Sequence, residues 1–143
     1  RFTRQPKPWH VMQVAGQYCD AVTVNVYTFI EEEMRTWHAA TGKPILIGEH
    51  HAPLASKRQF PPNYKAFAEP ERQAYYLDYV QRWAGMPFSL GCHWYQFADQ
   101  HLTGRSNDGE CQTVGLVDIT DSPHRHMIEV MQQAAGRLYQ WHG

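Results

Sequence analysis

The sequence predicts an α/β fold with parallel strands, and three observations carry that expectation. Short β-branched or aliphatic runs alternate with longer stretches of helical period. One run, Pro44-Ile45-Leu46-Ile47-Gly48-Glu49, is apolar up to its terminal carboxylate, as strands buried on both faces of a parallel sheet are. Two long segments, 52–70 and 99–121, follow strand ends, and loops of that length inside a compact domain are usually functional.

Each element has its own local signal. Trp9 to Tyr18 reads as a helix with Pro8 ahead of it. Ala21 to Tyr27 is rich in β-branched residues and reads as a strand. Glu31 to Ala40 reads as a helix: Thr28 and Glu31 suggest a capping box, Glu31-Glu32-Glu33 suits the positive end of the helix dipole, and Gly42 and Pro44 stop it. Ile45 to Glu49 is the second strand. From Glu71 to Ala84 the spacing of Ala74, Leu77, Val80, Trp83 and Ala84 predicts one helix face, closed by Gly85 and Pro87. Gly91 to Phe97 is a short aromatic strand. Ser122-Pro123 suggests the cap and first turn of a last helix with a stripe of Met127, Val130, Met131, Ala134 and Leu138. Repeated βα units imply parallel strands joined by right-handed crossovers. The spacing matches a (β/α)8 barrel, whose full length is roughly 250 residues, so 143 residues make a little over half of one.

Composition narrows the function. The chain is 43% hydrophobic and 13% aromatic, enough for a real core. Its net charge of −1 gives no electrostatic case for nucleic acid or an anionic membrane, and no apolar run approaches transmembrane length. The three cysteines, Cys19, Cys92 and Cys111, form no CxxC pair, which argues against a disulfide framework or a zinc ribbon. Cys92 reads as a small buried apolar residue. The chain opens on Arg1 with no initiator Met and no signal peptide, so the natural N-terminus is expected to lie upstream.

The chemistry is expected where strands end. Active sites of barrel enzymes sit at the C-terminal ends of their strands, and Glu49 ends a strand. Alternation puts Ile45, Ile47 and Glu49 on one face, and Cys92, Trp94 and Gln96 on the inner face of the third strand. Tyr27 ends the first strand. A tyrosine hydroxyl keeps a carboxylate nucleophile ionised and oriented, and a Trp face is an apolar platform for a sugar ring. For Glu49 the competing reading is a structural ion pair, and for Tyr27 and Trp94 it is core packing. Asn25, His51, Gln96 and Asp99 are the remaining candidate sugar-binding residues. His51 and His93 read equally as hydrogen-bonders to a sugar or as strand-end core residues, and Asp99, Arg105, Asp108 and Glu110 as a loop that binds hydroxyls or, the favoured reading, closes the site with its own salt bridges.

A metal centre is not expected. Glu49-His50-His51 and His124-Arg125-His126 lack a full ligand set at proper spacing. Ser106-Asn107-Asp108-Gly109 is an ordinary turn, without a calcium-loop pattern.

With Tyr27, Glu49 and Trp94 at successive strand ends in this order, the chain resembles the C-terminal part of retaining glycoside hydrolases built on (β/α)8 barrels with two catalytic glutamates. Within that clan it is most similar to the β-agarase-like family. The similarity rests on His93-Trp94-Tyr95-Gln96-Phe97-Ala98-Asp99-Gln100, Leu102-Thr103-Gly104-Arg105, Asp108-Gly109-Glu110, Val114-Gly115-Leu116-Val117 and Thr120-Asp121-Ser122-Pro123. It covers nearly the whole chain, from Arg1-Phe2 as the tail of strand five. The departures are His50 where Phe is common, His101 where Pro is, and Cys111 where Asn is. They bear on substrate identity more than on reaction type.

The resemblance implies one segment, 1–143, forming units five to eight of a TIM barrel, a parallel half-barrel without its N-terminal half. It implies a retaining hydrolase of β-galactosidic linkages in an agar-like polysaccharide, with Glu49 as nucleophile, Tyr27 orienting it and Trp94 beneath the sugar. The acid/base glutamate, preceded by Asn in such enzymes, has no counterpart here and would come from the missing half. No cofactor is implied, and export to an extracellular or periplasmic space is the family habit. The alternatives are a β-galactosidase or β-mannan/glucan hydrolase of the same clan, or a half-barrel that binds carbohydrate or self-associates without cutting.

Overall fold

The computed structural model describes residues 9–55 and 67–142. The expected strand-five tail at Arg1-Phe2 and residues 56–66 of the first long loop lie outside the described residues. The element order is α1 (Trp9–Tyr18), β1 (Val22–Asn25), α2 (Glu31–Thr41), β2 (Ile45–His50), α3 (Glu69–Ala84), β3 (Ser89–Trp94), α4 (Arg125–Ala135) and α5 (Leu138–Trp141). The strands form one parallel sheet in the order β1-β2-β3, so the apolar run at Ile45 is the central strand. A small α/β domain with a parallel three-stranded sheet is what the alternating pattern predicts.

The core lies between one sheet face and the helices. Val22, Val24, Val26, Ile45 and Ile47 pack there with Met12 of α1, Met34 of α2 and Tyr79 and Trp83 of α3. Burying a side chain of this size stabilises the fold by about 1.5–3 kcal/mol. β2 is not buried on both faces as expected: Ile45 and Ile47 are fully buried, but Leu46, Gly48 and Glu49 are only half-buried.

Several local expectations are corrected. The buried face of α3 is Arg72, Tyr79, Val80, Trp83 and Ala84, whereas Ala74 is exposed and Leu77 half-buried. The aromatic face wins because its polar tips find carbonyls in and just past the strands: Tyr79 Oη donates to Val26 O at 2.7 Å, Tyr75 Oη to Tyr27 O, and Trp83 Nε1 to Gly91 O at 2.9 Å. Thr28 does not cap α2. The cap residue is Ile30, so Glu31 is the first helical residue, not the third as a capping box requires. At α3, by contrast, Glu71 Oε2 accepts from the Ala68 N–H at 3.1 Å, one half of such a box.

The last helix begins at Arg125, not at Ser122-Pro123. Asp118 Oδ1 accepts from the N–H groups of Thr120 and Ser122 at 2.7 and 3.0 Å, and this local turn holds the chain out of a helix. The helix then breaks after Ala135, so Leu138 belongs to the separate α5 and stays exposed. β1 and β3 end earlier than expected, at Asn25 and Trp94. Beyond Trp94 the chain passes through a cis Tyr95–Gln96 peptide, and Phe97 O accepts from Leu116 N at 2.7 Å. No helix among the described residues is long and apolar enough to cross a membrane.

Candidate active site

A bulge on the central strand builds the site. Val24 pairs with Ile47, but the next residue, Asn25, pairs with Glu49, leaving Gly48 as the extra residue. A bulge places two residues opposite one and shifts the alternation by one position. Glu49 therefore does not share a face with Ile45 and Ile47, which stay in the core; it turns to the side of Asn25. Gly48 must lack a side chain, because a Cβ there would sit 2.6 Å from Thr23 Cγ2 and 3.0 Å from Asn25 Oδ1.

Two donors converge on one oxygen. Glu49 Oε2 accepts from Asn25 Nδ2 at 2.7 Å and from the Tyr27 hydroxyl. Asn25 is buried, whereas Tyr27 and Glu49 are half-buried. Hydrogen bonds to the charged form of a carboxylate favour that form. Tyr27 is held in turn: its carbonyl takes the Tyr75 hydroxyl, and its ring lies 4.6 Å from that of His51. The arrangement is a half-exposed, oriented carboxylate at the C-terminal end of a parallel strand.

His51 is 3% exposed. Burial pushes its pKa down to about 4, the Arg72 charge adding to the shift and the Tyr95 carbonyl opposing it. Its neutral ring packs as a wall behind Tyr27. His50 points the other way, into the stack of Tyr76 and Tyr79. Burial pushes it to about 3, against the raising effect of its Nδ1 contact with His93 O at 3.0 Å.

The third strand differs from expectation. Cys92 packs against the core cluster, where burial pushes its thiol up to about 12, so it is not on an open inner face. Trp94 packs edge-on to His50 and Tyr76, and its Nε1 donates to Val114 O at 2.8 Å. The register slips at both ends of the β2–β3 pairing, which is why simple alternation fails there. Gln96 donates to Ala98 O at 2.7 Å. Asp99 accepts from Gly115 N at 2.7 Å and meets His124 Nε2 at 2.9 Å. The structure thus joins Asn25, Tyr27, Glu49 and His51 in one cluster. It sets Trp94 against α3 and engages Gln96 and Asp99 in the loop after β3.

That loop is closed by its own charges. Arg105 pairs with Asp108 at 2.5 Å and Glu110 at 2.6 Å, and donates to the Tyr95 hydroxyl at 2.5 Å. One residue of consequence escaped the sequence reading: Arg72, completely buried on α3. Its only signal was a cation one turn from the aromatic positions of that helix. No cluster of three or more His, Cys, Asp or Glu suited to a metal occurs among the described residues.

No protein-family model matches the chain. Two curated proteins of Vibrio sp. (strain JT0107) are similar to it. β-Agarase B is 32% identical over 128 residues, 87% of this chain and 13% of the relative. β-Agarase A is 27% identical over 147 residues, 97% of this chain and 15% of the relative. Among solved structures, an exo-β-agarase superposes with a TM-score of 0.90 at 31% identity, covering 99% of this chain and 20% of that one. A second agarase gives 0.89 at 27% identity, again over 99% of this chain and 22% of the other. A β-D-glucuronidase, at 20% identity and a TM-score of 0.63, shares the fold. Over nearly its whole length, then, the chain is similar to β-agarases, of whose own length it spans about 13–15% in the curated relatives.

Proposed function

We propose that this chain is the nucleophile-bearing part of a retaining glycoside hydrolase acting on β-galactosidic linkages of an agar-like polysaccharide. The observation that carries the proposal is Glu49, at the end of the central parallel strand, with one oxygen held by both Tyr27 and Asn25. The β-agarase relatives support the substrate class. In this reading the sheet is part of a (β/α)8 barrel, units five to eight, whose other half adjoins it.

The ionised Glu49 attacks the anomeric carbon. The bond to that carbon forms as the glycosidic C–O bond breaks, and an acid outside this chain gives its proton to the leaving oxygen. Water then attacks the glycosyl ester, losing its proton to the same outside group and releasing Glu49. Such a pair of carboxyl groups stands about 5–5.5 Å apart in retaining enzymes. Tyr27 and Asn25 hold the attacking group in one orientation and stabilise its charge before and after the reaction. Trp94 forms the apolar wall for the sugar beside the cut. His51 backs Tyr27.

The test uses a 2-deoxy-2-fluoro-β-galactoside with a good leaving group, which needs the nucleophile more than the acid. Residues 1–143 joined to the upstream segment of the protein are incubated with it, digested and weighed. The expected result is a fluoroglycosyl adduct on the Glu49 peptide, absent from Glu49→Gln. An adduct on a different carboxylate, or full turnover by Glu49→Gln, overturns the assignment.

A further inference from the structure

Arg72 is a completely buried cation, and no carboxylate among the described residues forms an ion pair with it. Burial disfavours the cation, and the carboxylates of Glu69 and Asp99 offset this only from beyond ion-pair distance; an apolar residue would fill the space more cheaply. What the guanidinium does there is geometric. Nε donates to Ala52 O at 2.8 Å, just past β2, and Nη2 donates to Gly115 O at 3.2 Å, in the loop after β3. Its Cζ lies 5.6 Å from the centre of the Trp94 ring. The neighbouring carbonyl, Val114 O, receives the Trp94 indole N–H.

Residues 113–116 are thus a strap fastened at every position. Thr113 O takes the Leu54 N–H at 2.8 Å, Val114 O takes Trp94, Gly115 O takes Arg72, and Leu116 N reaches Phe97 O. The strap runs so close to the chain beside it that a Cβ on Gly115 would lie 2.3 Å from Asp99 N and 2.4 Å from Val117 O. Only a planar fork with several donors reaches two carbonyls and an aromatic ring together; an ammonium does not.

We propose that Arg72 is a positioning residue: it fixes Trp94 and the 113–116 strap as one rigid wall of the sugar site. This rests on the proposed function for its substrate but not for its geometry, and the experiment separates the two. The full-length protein, in the inactive Glu49→Gln background, is labelled with fluorotryptophan and its Trp94 resonance is assigned from Trp94→Phe. Arg72→Met and the milder Arg72→Lys are compared by fluorine NMR and by titration with an agarose oligosaccharide, below their melting temperatures.

The expected result is a single Trp94 line in the parent that splits or broadens in both variants. Oligosaccharide binding weakens by about tenfold as a cation–aromatic contact and its hydrogen bonds are lost. Adding Trp94→Ala to Arg72→Met then costs little more than either change alone. An unchanged Trp94 line in Arg72→Lys, or losses that add in full, overturns the proposal. A Trp94 line that responds to Arg72 but never to sugar supports the clamp and overturns the sugar-wall role.

Discussion

At Glu49 one carboxylate oxygen takes two donors of different kinds, and they need not contribute equally. Tyr27 is half-buried and its hydroxyl bonds Glu49 Oε2, while the amide that bonds the same oxygen belongs to Asn25, which is buried. Removing the hydroxyl with Tyr27→Phe keeps the ring packed on His51 and is expected to lower turnover about 100- to 1,000-fold, by the measure of a lost preorganised donor. Steady-state kinetics check this, with KM for the oligosaccharide little changed. The two histidines make a prediction about stability. Their folded pKa values, about 3 for His50 and about 4 for His51, lie below the ordinary 6.5. The unfolded chain therefore binds protons that the folded chain refuses. Stability is fully present above about pH 6.5 and falls as the pH drops toward 4, by about 1.4 kcal/mol per pH unit for each histidine. Urea melts between pH 7.5 and 4.5 measure the slope, and His50→Phe should make it shallower.

The decisive element is β2, where an extra residue at Gly48 turns a core strand into a site strand. Gly48→Ala brings a methyl group to 2.6 Å from Thr23 Cγ2 and pushes on Asn25 Oδ1. Overpacking of this kind costs about 1–3 kcal/mol. Denaturant melts should show that loss, with a larger fall in turnover because Asn25 moves away from Glu49. The companion change Thr23→Ser removes the struck methyl and should recover part of the stability but not all of the turnover. If Gly48→Ala is neutral in both measurements, the bulge is not what aims Glu49. The helices follow a simpler rule: α3 turns to the sheet the face whose hydroxyl and indole tips find carbonyl partners, not the face with the most regular apolar spacing.

On the scale of the whole molecule the sheet ends at β3 among the described residues, and this flank is apolar. Leu90 is 57% exposed and Tyr139 of α5 is 96% exposed, beside a groove lined by Leu46, Val80 and Ala134. An exposed sheet edge with apolar surface pairs with other chains unless it is covered or charged. The 143-residue polypeptide by itself should therefore self-associate in light scattering, and Leu90→Lys with Tyr139→Lys should shift it toward monomer. A monodisperse, unmodified monomer would show that this flank is harmless as it stands.

The class of the fold was legible along the chain, because the alternation of β-branched runs and helical stretches is a local property. The sequence located the helices to within a few residues at most ends. It also singled out Glu49 and Tyr27, since a carboxylate and a tyrosine closing apolar strands are visible in one dimension. The face on which Glu49 lies was decided only by tertiary structure, because a bulge is a mismatch between two strands and leaves no period in either. The same holds for Arg72. Along the chain it is one more charge in a polar first turn, and only the meeting of α3 with two loops gives it two carbonyls and the Trp94 ring. Trp94 facing α3, and Asp99 closing its loop through Gly115 and His124, likewise depend on residues far apart in sequence, whose contacts exist only once the chain has packed.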